Sequence, residues 1–198
     1  MGEVKESVMN QALIVVDAQN EFSSTGLRPV PNHASALAAI LEHVAAARAD
    51  RRPIAWVQHH NKPSESRAFV PGSWGAAFSP GLGPQPGHGP EAVFKKDVYG
   101  AFTGTGLEGW LRTHGVESVL MVGFYAHMCL STSAREALIR GFEVVVDPNA
   151  TGARDLDDET LGRQTADEVR RSALLHLKNM GAVVDAHLLE RSTSGSVA

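Results

Sequence analysis

Cysteine is nearly absent from this chain: its 198 residues include one, Cys129. That excludes an intramolecular disulfide and any site built from several thiolates, and it points to a reducing compartment, so the expected localisation is cytoplasmic. An excess of charge of one sign is also lacking. Eighteen Lys and Arg against 22 Asp and Glu give a formal net charge of −4, spread along the chain, which argues against nucleic acid or an anionic membrane surface as a partner. No apolar run approaches the roughly 20 residues a membrane-spanning helix needs. The opening MGEVKESVMNQ is polar and charged, unlike a secretory signal. There is no internal repeat. Neither G-x-S-x-G nor H-E-x-x-H occurs, so serine-hydrolase and zincin readings have no support.

What remains is an ordinary globular composition, 43% hydrophobic and 20% charged, long enough for one domain with a substantial core. The domain is placed at residues 11–190, after an N-terminal tail of 1–10 and before a small, polar C-terminal tail of 191–198. Short β-branched runs at 12–16, 53–58, 91–95, 118–123, 142–147 and 182–186 read as strands. They are almost continuously apolar, as strands covered on both faces are. Helical patterns fall between them. One runs from a cap at Asn32 to residue 49 with Leu37, Ile40, Leu41 and Val44 as its apolar stripe; others cover 105–114, 130–140 and 158–180. Leu174, Leu177 and Met180 face inward in the last, and Gly115, Gly141 and Gly181 act as stops. Alternation at this pace predicts an α/β fold with a parallel sheet and helices on both faces. The Gly/Pro-rich stretch 59–90 is too long and irregular for a plain connection and is expected to wall a pocket.

In such a sheet, ligands bind beyond the carboxyl ends of the strands. Asp17 follows the first strand in VVDAQNEF, Lys95 and Lys96 end the third in VFKKDVYGAF, and Cys129 follows the fourth in FYAHMC. A carboxylate, an ammonium and a thiol at one rim have a joint logic. A thiolate is the nucleophile, a helix N-terminus and a neighbouring cation lower its pKa, and the carboxylate takes and returns the proton. Each residue also has a plainer reading: a lone cysteine as a small buried hydrophobe, an aspartate as a turn former, a lysine as a solvated side chain. Three plain readings would have to coincide at one edge. The segment GTGLEG (104–109) matches G-x-G-x-x-G but follows no strand directly and lacks the later acidic residue; Thr105 capping a helix accounts for it better.

LIVVDAQNEF, KKDVYGAF and GFYAHMCLSTSAREAL resemble, in order and over residues 11 to 188, the three signature segments of the isochorismatase-like cysteine hydrolases, a superfamily that includes nicotinamidases, N-carbamoylsarcosine amidohydrolases and isochorismatases. The resemblance implies a three-layer αβα fold around a mostly parallel six-stranded sheet and a catalytic triad of Asp17, Lys96 and Cys129. Lys96 is preferred to Lys95 because it lies three residues before Tyr99. The resemblance further implies a cis peptide at Phe124–Tyr125, an oxyanion hole from the backbone N–H groups of Tyr125 and Cys129, and assembly into a homo-oligomer, a dimer or a tetramer. Nicotinamidases of this family bind a metal through Asp-x-His after the second strand. Here VQHHNKP supplies His59 and His60 without an aspartate, and adjacent residues of an extended segment point opposite ways, so no metal or other cofactor is expected and both histidines are read as ordinary polar loop residues.

True isochorismatases lack the cysteine, and Gln58, Arg67, Trp74 and Tyr125 match polar and aromatic positions they use. Arg67 is a candidate for pairing with a substrate carboxylate, and Phe22, Trp74, Tyr99, Phe102 and Tyr125 are candidate apolar walls. The expected activity is hydrolysis of a C–N bond in a small amide or ureido substrate through a thioester on Cys129. Two alternatives stand beside it: vinyl-ether hydrolysis with Asp17 as general acid, and a catalytically silent small-molecule-binding or scaffold protein.

Overall fold

The computed structural model describes residues 10–62 and 64–189; the tail assignments at 1–9 and 191–198 lie outside them. Strands β1 (Gln11–Val16), β2 (Ile54–His59), β3 (Glu91–Lys96), β4 (Ser118–Gly123), β5 (Glu143–Thr151) and β8 (Val183–Val184) form one six-stranded sheet in the order β3-β2-β1-β4-β5-β8. Every pairing in it is parallel. Strands β6 (Leu156–Asp158) and β7 (Gly162–Gln164) make a separate antiparallel hairpin. The helices are α1 (His33–Ala49), α2 (Leu107–Thr113), α3 (Ser131–Ile139) and α4 (Ala166–Asn179).

Two apolar clusters, one on each face of the sheet, explain the unbroken hydrophobic runs. Alternate residues of β1 divide between them: Ala12, Ile14 and Val16 join Leu107, Leu130, Ala134 and Leu177, while Leu13 and Val15 join Ile40, Val44, Trp56 and Phe124. Both sets are fully removed from solvent, and each large side chain so buried contributes about 1.5–3 kcal/mol before entropy is counted. Among the described residues no helix is long and apolar enough to cross a membrane.

Four local expectations need correction. Residues 158–165 are not helical: they complete the hairpin, whose turn passes through Gly162 at φ +80°. Helix α4 begins at a capping box instead, in which the Thr165 hydroxyl accepts from the Glu168 N–H while the Glu168 carboxylate accepts from the Thr165 N–H. Asn32 precedes α1 but does not cap it through its side chain; its Nδ2 donates to the Thr151 carbonyl at 3.0 Å. The buried face of α1 is Ala36, Ile40, His43, Val44 and Ala47, so the small residues lie underneath and Leu37 and Leu41 sit half-buried at the flanks. Met180 is 43% exposed, unlike Leu174 and Leu177, because it lies beyond the last turn of α4.

The strand order reverses between β1 and β4, which makes the carboxyl ends of those two strands the switch point where an open α/β sheet has a crevice. Gly123 closes β4 there at φ +118°, and a Cβ on it would stand 1.9 Å from the Val16 carbonyl oxygen. Only glycine lets β4 pass so close to β1. The next N–H, of Phe124, donates to that same carbonyl at 2.9 Å, and the Thr151 hydroxyl holds the Gly123 carbonyl at 2.6 Å.

Candidate active site

Asp17 leaves β1 at φ +50°, a left-handed conformation that turns its side chain across the carboxyl edge of the sheet. Lys96 ends β3, two strands away, and reaches back toward it. The ammonium stands 2.7 Å from Asp17 Oδ2, with both side chains fully buried. The contact is one of charge: neither carboxylate oxygen receives an aligned hydrogen bond within the described protein. Lys96 Nζ also donates to the Val98 carbonyl at 3.1 Å and to His59 Nδ1 at 3.2 Å. Its neighbour Lys95 is exposed, as strand alternation requires.

Cys129 lies in a single wide π-type turn, Ala126–Leu130, between the end of β4 and α3. The preceding Phe124–Tyr125 peptide is cis. The turn is tied at three points: the Ala126 N–H donates to the Gly152 carbonyl at 2.8 Å, the Leu130 N–H to the Tyr125 carbonyl at 3.2 Å, and the Ser133 hydroxyl to the Cys129 carbonyl at 2.6 Å. Turns of this kind recur at functional sites because they displace one side chain from the helical path. Ligating atoms of Asp17, His59 and Cys129 all lie within 4.8 Å of one another. The Tyr125 N–H has no hydrogen-bond acceptor among the described residues.

The electrostatics correct one expectation. A helix start and a cation were expected to lower the thiol's pKa. Burial instead pushes the Cys129 thiol well up, the Asp17 charge adds to that, and the Lys96 ammonium opposes both without prevailing. Burial also works against the Lys96 ammonium, but Asp17 and then Cys129 outweigh it and hold its pKa above the ordinary lysine value. The cluster thus sets a cation beside a thiol and a carboxylate placed to exchange a proton with it.

His59 is not a loop residue but the last residue of β2, paired in register with Lys96. Its Nε2 meets Asn61 Oδ1 at 2.7 Å and its Nδ1 meets Lys96. Both ring nitrogens are thus engaged, and the position of the Asp-x-His metal pair is taken by His59-x-Asn61. Both ring nitrogens of His59 already have protein partners, while Asp17, His59 and Cys129 each offer a ligand atom within 4.8 Å of the others. His60 is half-buried, and its pKa is lowered by burial, then by Lys95 and His59.

The other candidates divide. Phe22 is buried against Phe69, Phe124 and Tyr125. The Tyr125 hydroxyl donates to the Arg28 carbonyl at 2.8 Å, and burial pushes its pKa up to about 12. Phe102 is core, packed on Phe142 beneath the Arg140 guanidinium. Gln58 is half-buried and donates to the Ala76 carbonyl at 3.2 Å. Trp74 and Tyr99 are 58% and 54% exposed, and Arg67 is exposed as well. A groove of about 620 Å³ lies between Pro148, Leu174 and Val184, and none of the three clustered residues lines it.

Three buried polar residues went unrecognised in the sequence. Gln19 donates to the His59 and Ala76 carbonyls and accepts from the His59 N–H. Asn20 donates to the Trp74 carbonyl at 2.9 Å. Glu21 accepts from the Leu27 and Phe69 N–H groups at 2.7 and 3.2 Å. The polar run directly behind Asp17 therefore holds the long segment after β2 in place, and an uninterrupted Q-N-E at a buried strand end was the available signal.

The Isochorismatase domain family matches residues 11–184. The secreted isochorismatase effector Isc1 of Verticillium dahliae is 34% identical over 76% of this chain and 76% of its own length. Nicotinamidase 3 of Arabidopsis thaliana is 28% identical over 93% of this chain and 89% of its own. The crystal structure of an isochorismatase from Pseudomonas putida KT2440 superposes with a TM-score of 0.83 at 28% identity, covering 94% of this chain and 90% of that one.

Proposed function

We propose, for a chain that belongs to the isochorismatase family, a cysteine hydrolase that cleaves a C–N bond in a small amide or ureido compound in the cytoplasm. One observation carries this reading: the Cys129 thiol, the Asp17 carboxylate and the buried Lys96 ammonium gather at the switch point of the sheet. Asp17 accepts the thiol proton as Sγ attacks the carbonyl carbon, and Lys96 stabilises the sulfur anion as it forms. The N–H groups of Tyr125 and Cys129 receive the developing oxyanion. Collapse expels ammonia or an amine, which takes the proton back from Asp17, and leaves a thioester. Water, deprotonated by Asp17, then cleaves that thioester and restores the thiol. The nicotinamidase among the relatives supports an amide as the substrate class.

The test is a panel of small amides, nicotinamide and ureido compounds among them, with intact-mass detection of an acyl adduct on Cys129. The Cys129→Ala variant should fold as the parent does and lose turnover by several orders of magnitude. Undiminished hydrolysis by that variant would refute the mechanism. Vinyl-ether hydrolysis gains no support from the rim, since Arg67 and Trp74 stand at the surface.

A further inference from the structure

Three partners surround the Lys96 ammonium: Asp17 Oδ2, in charge contact at 2.7 Å, and the acceptors of its two aligned hydrogen bonds, Val98 O at 3.1 Å and His59 Nδ1 at 3.2 Å. The third is unusual because an imidazole nitrogen accepts from a cation only through its lone pair. The neighbouring bonds determine which nitrogen that is. Asn61 Nδ2 donates to the Ala68 carbonyl at 3.0 Å, which turns Asn61 Oδ1 toward the ring. That oxygen can only accept, so His59 Nε2 carries the hydrogen and Nδ1 is left bare for Lys96. The Asn61 N–H donates to the Phe69 carbonyl at 3.1 Å, and the His59 ring stands edge-on to Phe69 at 5.4 Å, so neither side chain is free to swing. The His59 backbone is clamped as well, by both ends of the Gln19 amide. Lys96 must span from β3 across β2 to reach Asp17 beyond β1, and His59 stands at the end of the strand it crosses.

We propose that His59, oriented by Asn61, is the positioning residue for Lys96. It accepts one of the ammonium's N–H bonds through Nδ1 and fixes the lysine's approach to Asp17 and Cys129. This rests on the proposed cysteine chemistry, since it assigns His59 a part in preparing that nucleophile. His59 touches neither sulfur nor substrate in this role and acts through Lys96.

The single cysteine makes the test direct, because iodoacetamide labels one thiol in the chain and intact mass reads it without knowledge of the substrate. The rate is measured against pH for the parent, His59→Asn, His59→Gln and His59→Leu, with thermal unfolding of each. Asparagine places an acceptor where Nδ1 stands; glutamine reaches instead toward Asn61; leucine offers none. His59→Leu and His59→Gln are expected to label about 10- to 100-fold more slowly near neutral pH, the range a displaced catalytic group produces, with the profile moved to higher pH. His59→Asn is expected to follow the parent. Should His59→Leu fail to fold, His59→Gln carries the comparison alone. Parent-like labelling in His59→Gln, or equal slowing in His59→Asn, overturns the proposal. Failure of the amidase reading is distinguishable, since it appears as undiminished turnover in Cys129→Ala whatever the histidine variants do.

Discussion

Replacing Lys96 with methionine removes one half of an ion pair whose two side chains have no solvent exposure and stand 2.7 Å apart. The volume is nearly preserved, so the effect is one of charge. Asp17 is left in the interior with no aligned donor on either oxygen, and breaking a buried pair in this way typically destabilises by about 3–5 kcal/mol. The Val98 carbonyl and His59 Nδ1 lose their donor as well, which keeps the expectation at the upper part of that range. In a domain of this size each kcal/mol moves Tm by roughly 2–4 °C, so a loss of about 4–5 kcal/mol lowers Tm by about 8–20 °C. Urea unfolding gives the free energy from the midpoint and slope. The double variant Asp17→Asn/Lys96→Met removes both charges and should recover part of the loss, leaving only neutral groups imperfectly paired, at about 1–3 kcal/mol each. Loss of less than about 1 kcal/mol in Lys96→Met, against the 3–5 expected of a buried pair, would refute the electrostatic account. So would a double variant less stable than the single one.

Gly123→Ala places a methyl group 1.9 Å from the Val16 carbonyl oxygen; backbone strain and overpacking together predict a loss on the order of 3 kcal/mol, and a parent-like urea midpoint would contradict it. Glu21→Ala strips the Leu27 and Phe69 N–H groups of their acceptor, an expected loss of roughly 2–4 kcal/mol; proteolysis should then cut near Phe69 sooner than in the parent, and equal cutting rates would count against the anchoring role. Burial, and then Arg154, lower His127 from 6.5 to about 4. Its folded pKa lies below the unfolded one, so this contribution to stability is present above about pH 6.5 and is lost as pH falls toward 4. His127→Phe should therefore lose less stability than the parent between pH 7 and 4.5, and identical losses would disprove the assignment.

The strands and their order of appearance were legible because burial on both faces leaves runs such as ALIVV and SVLMVG without polar interruption. The lower boundary of α4 was not, although Thr165 and Glu168 spell a capping box; the preceding Leu161 and Leu156 continue an apolar pattern that belongs to a hairpin. Asp17, Lys96 and Cys129 were legible from their places at the carboxyl ends of strands, positions that acquire meaning only in a parallel sheet. His59 escaped because its importance comes from its register with Lys96 across the sheet, and pairing register is not visible in one strand. The direction of the Cys129 shift escaped for a similar reason: a helix start and a cation are local features, whereas the depth of burial that overrides them belongs to the whole fold.

The grip of Gln19, Asn20 and Glu21 on the segment after β2 has a consequence for how such a scaffold could acquire new specificities. The anchors fall at His59, Phe69 and residues 74–76, while Asn61 closes the chain back on Ala68 and Phe69. Residues 64–67, Arg67 among them, lie outside those fastenings as a replaceable cassette. A change in its length or chemistry leaves the strand ends that carry Asp17, Lys96 and Cys129 in place, so the rim can vary independently of that cluster.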